Sequence, residues 1–137
     1  VPLGKADVKR AGEDITVFCY GLMVNYCLQA ADILASDGID VEVVDLRTVY
    51  PLDKATIIER SQRTGKVLLV TEDNLEGSIM SEVSAIIAEN CLFDLDAPIM
   101  RLAAPDVPSM PFSPTLENEI MMNPEKIQDK MRELAQF

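Results

Sequence analysis

Asp94-Leu95-Asp96-Ala97-Pro98-Ile99-Met100-Arg101-Leu102-Ala103-Ala104-Pro105-Asp106-Val107-Pro108 is the stretch on which the fold turns. Residues 99–103 read as a buried strand. Pro105 and Pro108 end it at once, because a proline ring fixes φ and leaves no N–H to donate. Upstream lie three further strand-like runs, each followed by a helical pattern. Ile15-Thr16-Val17-Phe18-Cys19-Tyr20 is β-branched and aromatic and is closed by Gly21. Val24, Cys27, Leu28, Ala31, Leu34 and Ala35 then recur at three and four, the stripe of an amphipathic helix, and Asp37-Gly38 ends it. Val41-Glu42-Val43-Val44-Asp45-Leu46 is a second strand, and Asp53 is a fitting N-cap for a helix carrying Ile57 and Ile58.

Thr64-Gly65 stops that helix, and Lys66-Val67-Leu68-Leu69-Val70-Thr71 makes a third strand. An acidic loop, Glu72-Asp73-Asn74-Leu75-Glu76-Gly77, leads to Ser78 as a second N-cap. The helix over 79–89 turns Ile79, Val83, Ile86 and Ile87 to one side. After a proline-rich loop at 105–114 and a short turn near 116–121 comes a last helix. Pro124 stands at its first position, and Ile127, Met131 and Leu134 form its inward stripe. Strands alternating with helices at roughly 25-residue intervals are βαβ units. The expectation is an α/β fold, a three-layer αβα sandwich with a mostly parallel sheet, as one domain over 1–137. Runs such as 67–70 and 41–44 suit strands covered on both faces.

Composition narrows the function. At 137 residues, 48% hydrophobic and 26% charged, the chain buries a core without disulfides or metal. No apolar run reaches the length of a membrane span. A net charge of −11 opposes nucleic acid and anionic membranes, whose binding depends on Lys and Arg. Val1-Pro2-Leu3-Gly4 has neither a signal-peptide pattern nor an initiator methionine, which fits an excised or processed domain. Cys19, Cys27 and Cys91 form no C-x-x-C pair and suit reduced, buried thiols of a cytoplasmic protein.

Ligands of open α/β sheets sit beyond the carboxyl ends of the strands. There the chain offers no Gly-x-Gly-x-x-Gly turn, no P-loop and no histidine to activate a nucleophile. Glu72, Asp73, Glu76 and Asp106 could converge on Mg²⁺ or Ca²⁺, or could be solvated carboxylates favouring the helix that opens at Ser78. Arg47, beside Asp45 and Asp53, suits a bidentate tie at the sheet edge more than a contact to substrate. Arg101 needs a carboxylate if buried, or lies on an exposed face. Met110 and Phe112 on the 105–114 loop suggest a subunit contact or packing on the domain's own core.

With these residues in place, the chain resembles the C-terminal domain of the beta subunit of the thiamine-diphosphate-dependent decarboxylase of 2-oxo acid dehydrogenase complexes, which is similar to the transketolase C-terminal domain. The resemblance runs from Gly4-Lys5-Ala6 and Arg10-Ala11-Gly12-Glu13-Asp14 through Asp45-Leu46-Arg47-Thr48, Tyr50-Pro51-Leu52-Asp53 and Leu95-Asp96-Ala97-Pro98-Ile99, to Asp106, Leu116-Glu117 and Pro124. Thr71-Glu72-Asp73, Gly77-Ser78-Ile79-Met80-Ser81-Glu82 and Cys91-Leu92-Phe93 look most like bacterial branched-chain members. Asn25 and Ser78-Ile79-Met80 depart from the family pattern.

The resemblance implies a fragment of a longer subunit whose parent decarboxylates a 2-oxo acid and reductively acylates a lipoyl group. It implies thiamine diphosphate bound in the parent heterotetramer and not by this domain alone, so no catalytic, cofactor or metal residue is assigned. The implied partners are the alpha subunit, a second beta subunit, and the basic peripheral-subunit-binding domain of the acyltransferase core. Its docking positions would be Glu117 or Glu119, Asp129 and the carboxylate of Phe137, although Phe137 could equally be an apolar cap on the last helix. The competing reading is a free-standing α/β module binding a small ligand or a metal.

Overall fold

Strand β2 (Ile15–Cys19) is wholly buried and occupies the middle of a five-stranded sheet. The computed structural model describes residues 2–104 and 122–137. Around β2 the chain lays down β1 (Asp7–Arg10), α1 (Leu22–Ser36), β3 (Val41–Asp45), α2 (Lys54–Thr64), β4 (Val67–Asn74), α3 (Ile79–Cys91), a 3-10 turn (Leu92–Asp94), β5 (Met100–Ala104) and α4 (Pro124–Ala135). The sheet order is β1-β3-β2-β4-β5, with β1 antiparallel to β3 and every other pairing parallel. The 105–114 loop with Met110 and Phe112, the turn near 116–121, and Asp106, Glu117 and Glu119 lie outside the described residues.

The expected three-layer α/β sandwich is present. Alternation along each strand sends Ile15, Val17, Val41, Val43, Leu68 and Val70 to one face, where α1 and α4 cover them. Phe18, Val44, Val67 and Leu69 go to the other face, against α2 and α3. Strands that are apolar at almost every position are what two covered faces require.

Two elements differ from the sequence reading. Asp7-Val8-Lys9-Arg10 forms an edge strand where no strand was expected, because its charged residues hide the pattern. Charge is tolerated there since, among the described residues, the outer edge of β1 has no neighbouring strand, and it discourages further pairing. Strand β4 also runs on through Glu72 and Asp73 to Asn74, which pairs with Ala104 after a register shift. The first half of the expected acidic loop is therefore strand.

Helix ends follow local chemistry. The Asp53 side chain accepts the Thr56 N–H at 3.2 Å, and Asn123 accepts that of Lys126 at 2.8 Å with Pro124 just inside α4. Each such cap contributes about 1 kcal/mol. Gly65 closes α2 with φ +73, and a Cβ there would meet the Asp96 carboxylate at 2.6 Å. Ser78 occupies the N-cap of α3, but its side chain makes no cap bond and its Oγ is buried without a partner.

One charged cluster is built into the α2 face. Glu42 is fully buried and accepts from Thr16 Oγ1 (3.2 Å), Arg60 (3.2 Å) and Arg63 (2.8 Å). Arg63 also pairs with Glu13. Burial is the largest influence on Glu42 and raises its pKa, against the lowering effects of Arg60, Arg63 and Thr16.

Candidate docking site

A parallel sheet has two working edges, and they differ sharply here. At the carboxyl edge the strand order reverses between β2 and β4, since β3 lies to one side of β2 and β4 to the other. The crevice at that switch point has a volume of about 250 Å³ and is lined by Leu22, Met23, Tyr26, Glu72, Asp73, Ala104 and Met122. Tyr20 donates to Asp73 at 2.8 Å and lies 3.0 Å from the Thr71 hydroxyl. Burial first, then Asp73 and Glu72, raise the Tyr20 pKa against the lowering effect of Thr71.

The charged groups lining that crevice among the described residues, Glu72 and Asp73, are both negative and present no cation of their own to a diphosphate. Among the described residues no group of three or more His, Cys, Asp or Glu is placed to hold a metal ion, and Asp106 lies outside them. Glu76 lines a second depression with Asp73, Gly77 and Ser78, so Asp73 borders both.

Two arginines stand at or near this edge. Arg47 has φ +62, and its N–H donates to Asp45 Oδ1 at 2.9 Å. The Asp53 carboxylate is occupied by Ala6, on the approach to β1, and by Thr56 of α2. Arg101 is exposed and donates to the Leu75 carbonyl at 3.1 Å and to Ser81 Oγ at 3.0 Å.

The amino edge gathers the residues that precede the strands. Asp14 Oδ2 accepts the Asp40 N–H at 2.8 Å, and Asp40 Oδ2 accepts that of Glu13 at 3.0 Å, which locks the β2 and β3 approaches together. The Asp96 N–H donates to the Gly65 carbonyl at 2.7 Å. Between these turns lies a groove of about 420 Å³ lined by Glu13, Asp14, Asp96, Lys66, Thr64, Ile15, Ile39 and Ala135. Three of its four charged members are acidic. Lys66 reaches out of it to the carbonyls of Ala135 (3.3 Å) and Phe137 (2.7 Å), so the end of α4 forms one bank.

Of the expected docking residues, Phe137 is 57% exposed; Lys66 of this groove holds its carbonyl oxygen, while Phe137 itself lines another depression with Glu133 and Gln136. Asp129 is exposed on α4 in one row with Glu125 and Glu133, at four-residue spacing on a single helix face. Glu117 and Glu119 are outside the described residues. The sequence reading passed over Glu13, Asp14, Asp96 and the exposed apolar pair Leu92 (58%) and Phe93 (100%) on the turn leading to Asp96. The usable signal was their position: Glu13 and Asp14 directly precede β2, and Asp96 lies four residues before the start of β5, in one parallel set.

Comparison with known proteins supplies the family. The family described as Transketolase, C-terminal domain, matches residues 4–127. The chain is 67% identical over its full length to the 2-oxoisovalerate dehydrogenase subunit beta of Bacillus subtilis, of which it spans 42%. It is 43% identical over its full length to the pyruvate dehydrogenase E1 component subunit beta of the same organism, again spanning 42%. It is 42% identical over 93% of its length to the acetoin:2,6-dichlorophenolindophenol oxidoreductase subunit beta of B. subtilis, spanning 37%. The chain thus spans less than half the length of these curated relatives. A split-gene transketolase solved as an inactive beta4 tetramer superposes with a TM-score of 0.86 over 99% of this chain and 44% of that one, at 23% identity, a likeness of fold. By its strand order, its two covered faces and this match, the chain belongs to the transketolase C-terminal domain family.

Proposed function

We propose that this chain is the C-terminal assembly domain of the beta subunit of a 2-oxo acid dehydrogenase decarboxylase of the branched-chain type, and that it is a fragment of that longer subunit. The carrying observation is the 67% identity to the B. subtilis 2-oxoisovalerate dehydrogenase beta subunit, against 43% and 42% to the pyruvate and acetoin relatives. The parent protein decarboxylates 3-methyl-2-oxobutanoate or a close analogue and passes the acyl group to a lipoyl carrier. Thiamine diphosphate is held by other parts of a cytoplasmic complex containing alpha subunits and a second beta subunit. Negative charge at the switch-point crevice supports placing the cofactor outside this chain.

The domain's own role is to be held by partners. Its amino-edge groove, with the Phe137 bank and the acidic row of α4, is complementary to the basic peripheral-subunit-binding domain of an acyltransferase core. Acidic groups steer a basic partner and fix its orientation. Leu92 and Phe93 add exposed apolar area on the turn that ends at Asp96.

The test uses the whole subunit co-purified with its alpha partner, offered 3-methyl-2-oxobutanoate, pyruvate and acetoin in competition. Preference for the branched substrate is expected, and preference for pyruvate or acetoin defeats the assignment. Calorimetric titration with the acyltransferase's basic domain tests docking. No heat at low salt would remove the docking role.

A further inference from the structure

We infer that the apolar cleft at the β3–α2 turn is the seat of the part of the longer subunit that precedes Leu3, an inference that rests on the reading of this chain as the C-terminal part of such a subunit. The cleft has a volume of about 540 Å³ and lies between the turn Val49-Tyr50-Pro51-Leu52 and Ile79, the first residue of α3. Its charged members are Lys54 and Glu82. Tyr50 is 93% exposed and Val49 40%. Leu3 is 88% exposed, and Gly4 lies so close to this turn that a Cβ would come within 3.2 Å of the Pro51 ring. Three large apolar side chains therefore surface where the first described residues are laid on the domain. Single exposed apolar residues are ordinary, but a group of them around a cleft marks a contact surface.

The occupant follows from tethering and from charge. This chain makes up 42% of the B. subtilis relative, so more of that protein lies outside the matched part than within it. A polypeptide continuing back from Gly4 departs beside Pro51, one of the residues that line the cleft, and a tethered occupant has an effective concentration that a free chain must outcompete. The cleft is mainly apolar and at the carboxyl edge of the sheet, whereas the acidic groove suited to a basic partner is at the amino edge. The two edges thus divide the work: one holds the subunit's own preceding domain, the other is left for the core.

The experiment places Tyr50→Cys in the full-length subunit and follows thiol labelling at residue 50 by peptide mass spectrometry, native against urea-unfolded. Cys19, Cys27 and Cys91 are buried and leave a low background within this chain. Labelling at least about tenfold slower in the native subunit alone is expected, the retardation a closed contact gives. Labelling nearer the unfolded rate overturns the inference. So does protection that vanishes on dilution or appears only when the alpha subunit is added, since either assigns the cleft to another chain. Should the variant misfold, hydrogen exchange of residues 48–53 in the unsubstituted subunit decides on the same criterion. A gene encoding nothing before Val1 defeats the parent reading itself, whereas a long subunit with a reactive residue 50 defeats only the cleft assignment.

Discussion

Lys66 Nζ lies 2.7 Å from the Phe137 carbonyl oxygen and 3.3 Å from that of Ala135, so one ammonium at the mouth of β4 holds the last turn of α4. Final carbonyls of a helix lack intrahelical partners, and a cation there also meets the negative end of the helix dipole. Lys66→Met keeps most of the alkyl stem and removes the charge. Global stability should fall by about 1 kcal/mol in urea unfolding, with faster amide exchange at Gln136 and Phe137. Unchanged exchange at those two amides would show that the clamp does not fix the terminus.

Glu42 yields a prediction whose sign is easily misjudged. Burial raises its folded pKa, so its linked contribution to stability is fully present below the unfolded value, about 4.3, and is lost as pH rises through the folded value. Glu42→Gln should therefore gain on the native protein as pH is raised from 4 to 7. Glu42→Ala should lose about 3 kcal/mol at pH 7, because Arg60 and Arg63 keep their charge beside an emptied site. Parallel urea titrations at several pH values test both, and a Gln variant that loses ground with rising pH contradicts the argument.

Asp53 runs the other way. Burial raises its pKa, but hydrogen bonds from the Thr56 side chain, the Ala6 N–H and the Thr56 N–H outweigh that and leave it lowered. Its stabilisation is present above the unfolded value, about 3.9, and is lost as pH falls through the folded one. Asp53→Ala should cost about 1–2 kcal/mol at pH 7, and the deficit should narrow toward pH 3. Because Asp53 joins the α2 N-terminus to the approach of β1, amides of β1 should also exchange faster in the variant.

Much of this was legible in the residues. Apolar strands, helical stripes, Asp53, Gly65 and Pro124 announced a two-sided parallel sheet because they satisfy local rules that the packed fold also obeys. Asp7-Val8-Lys9-Arg10 escaped because an edge strand carries charge instead of apolar alternation. The amino-edge groove escaped for a topological reason. Glu13, Asp14 and Asp96 are scattered over more than eighty positions, and only parallel pairing brings the starts of β2, β4 and β5 to one rim. Attention to the carboxyl edge, where α/β ligands usually lie, hid the opposite one.

That rim carries the docking reading, and Asp96 separates it from a purely structural alternative. Its backbone N–H is spent on Gly65, while its carboxylate lines the acidic groove. Asp96→Asn should therefore leave the unfolding midpoint nearly unchanged. It should weaken binding of the basic acyltransferase domain to the whole subunit about tenfold and flatten the dependence of that affinity on salt. Asp129→Asn, removing one charge from an exposed row of three, should weaken binding less than about threefold. Since charge and shape change little in either substitution except at one carboxylate, equal losses would move the centre of the contact onto α4. An affinity indifferent to both, with the native salt slope retained, would place the basic domain on another face.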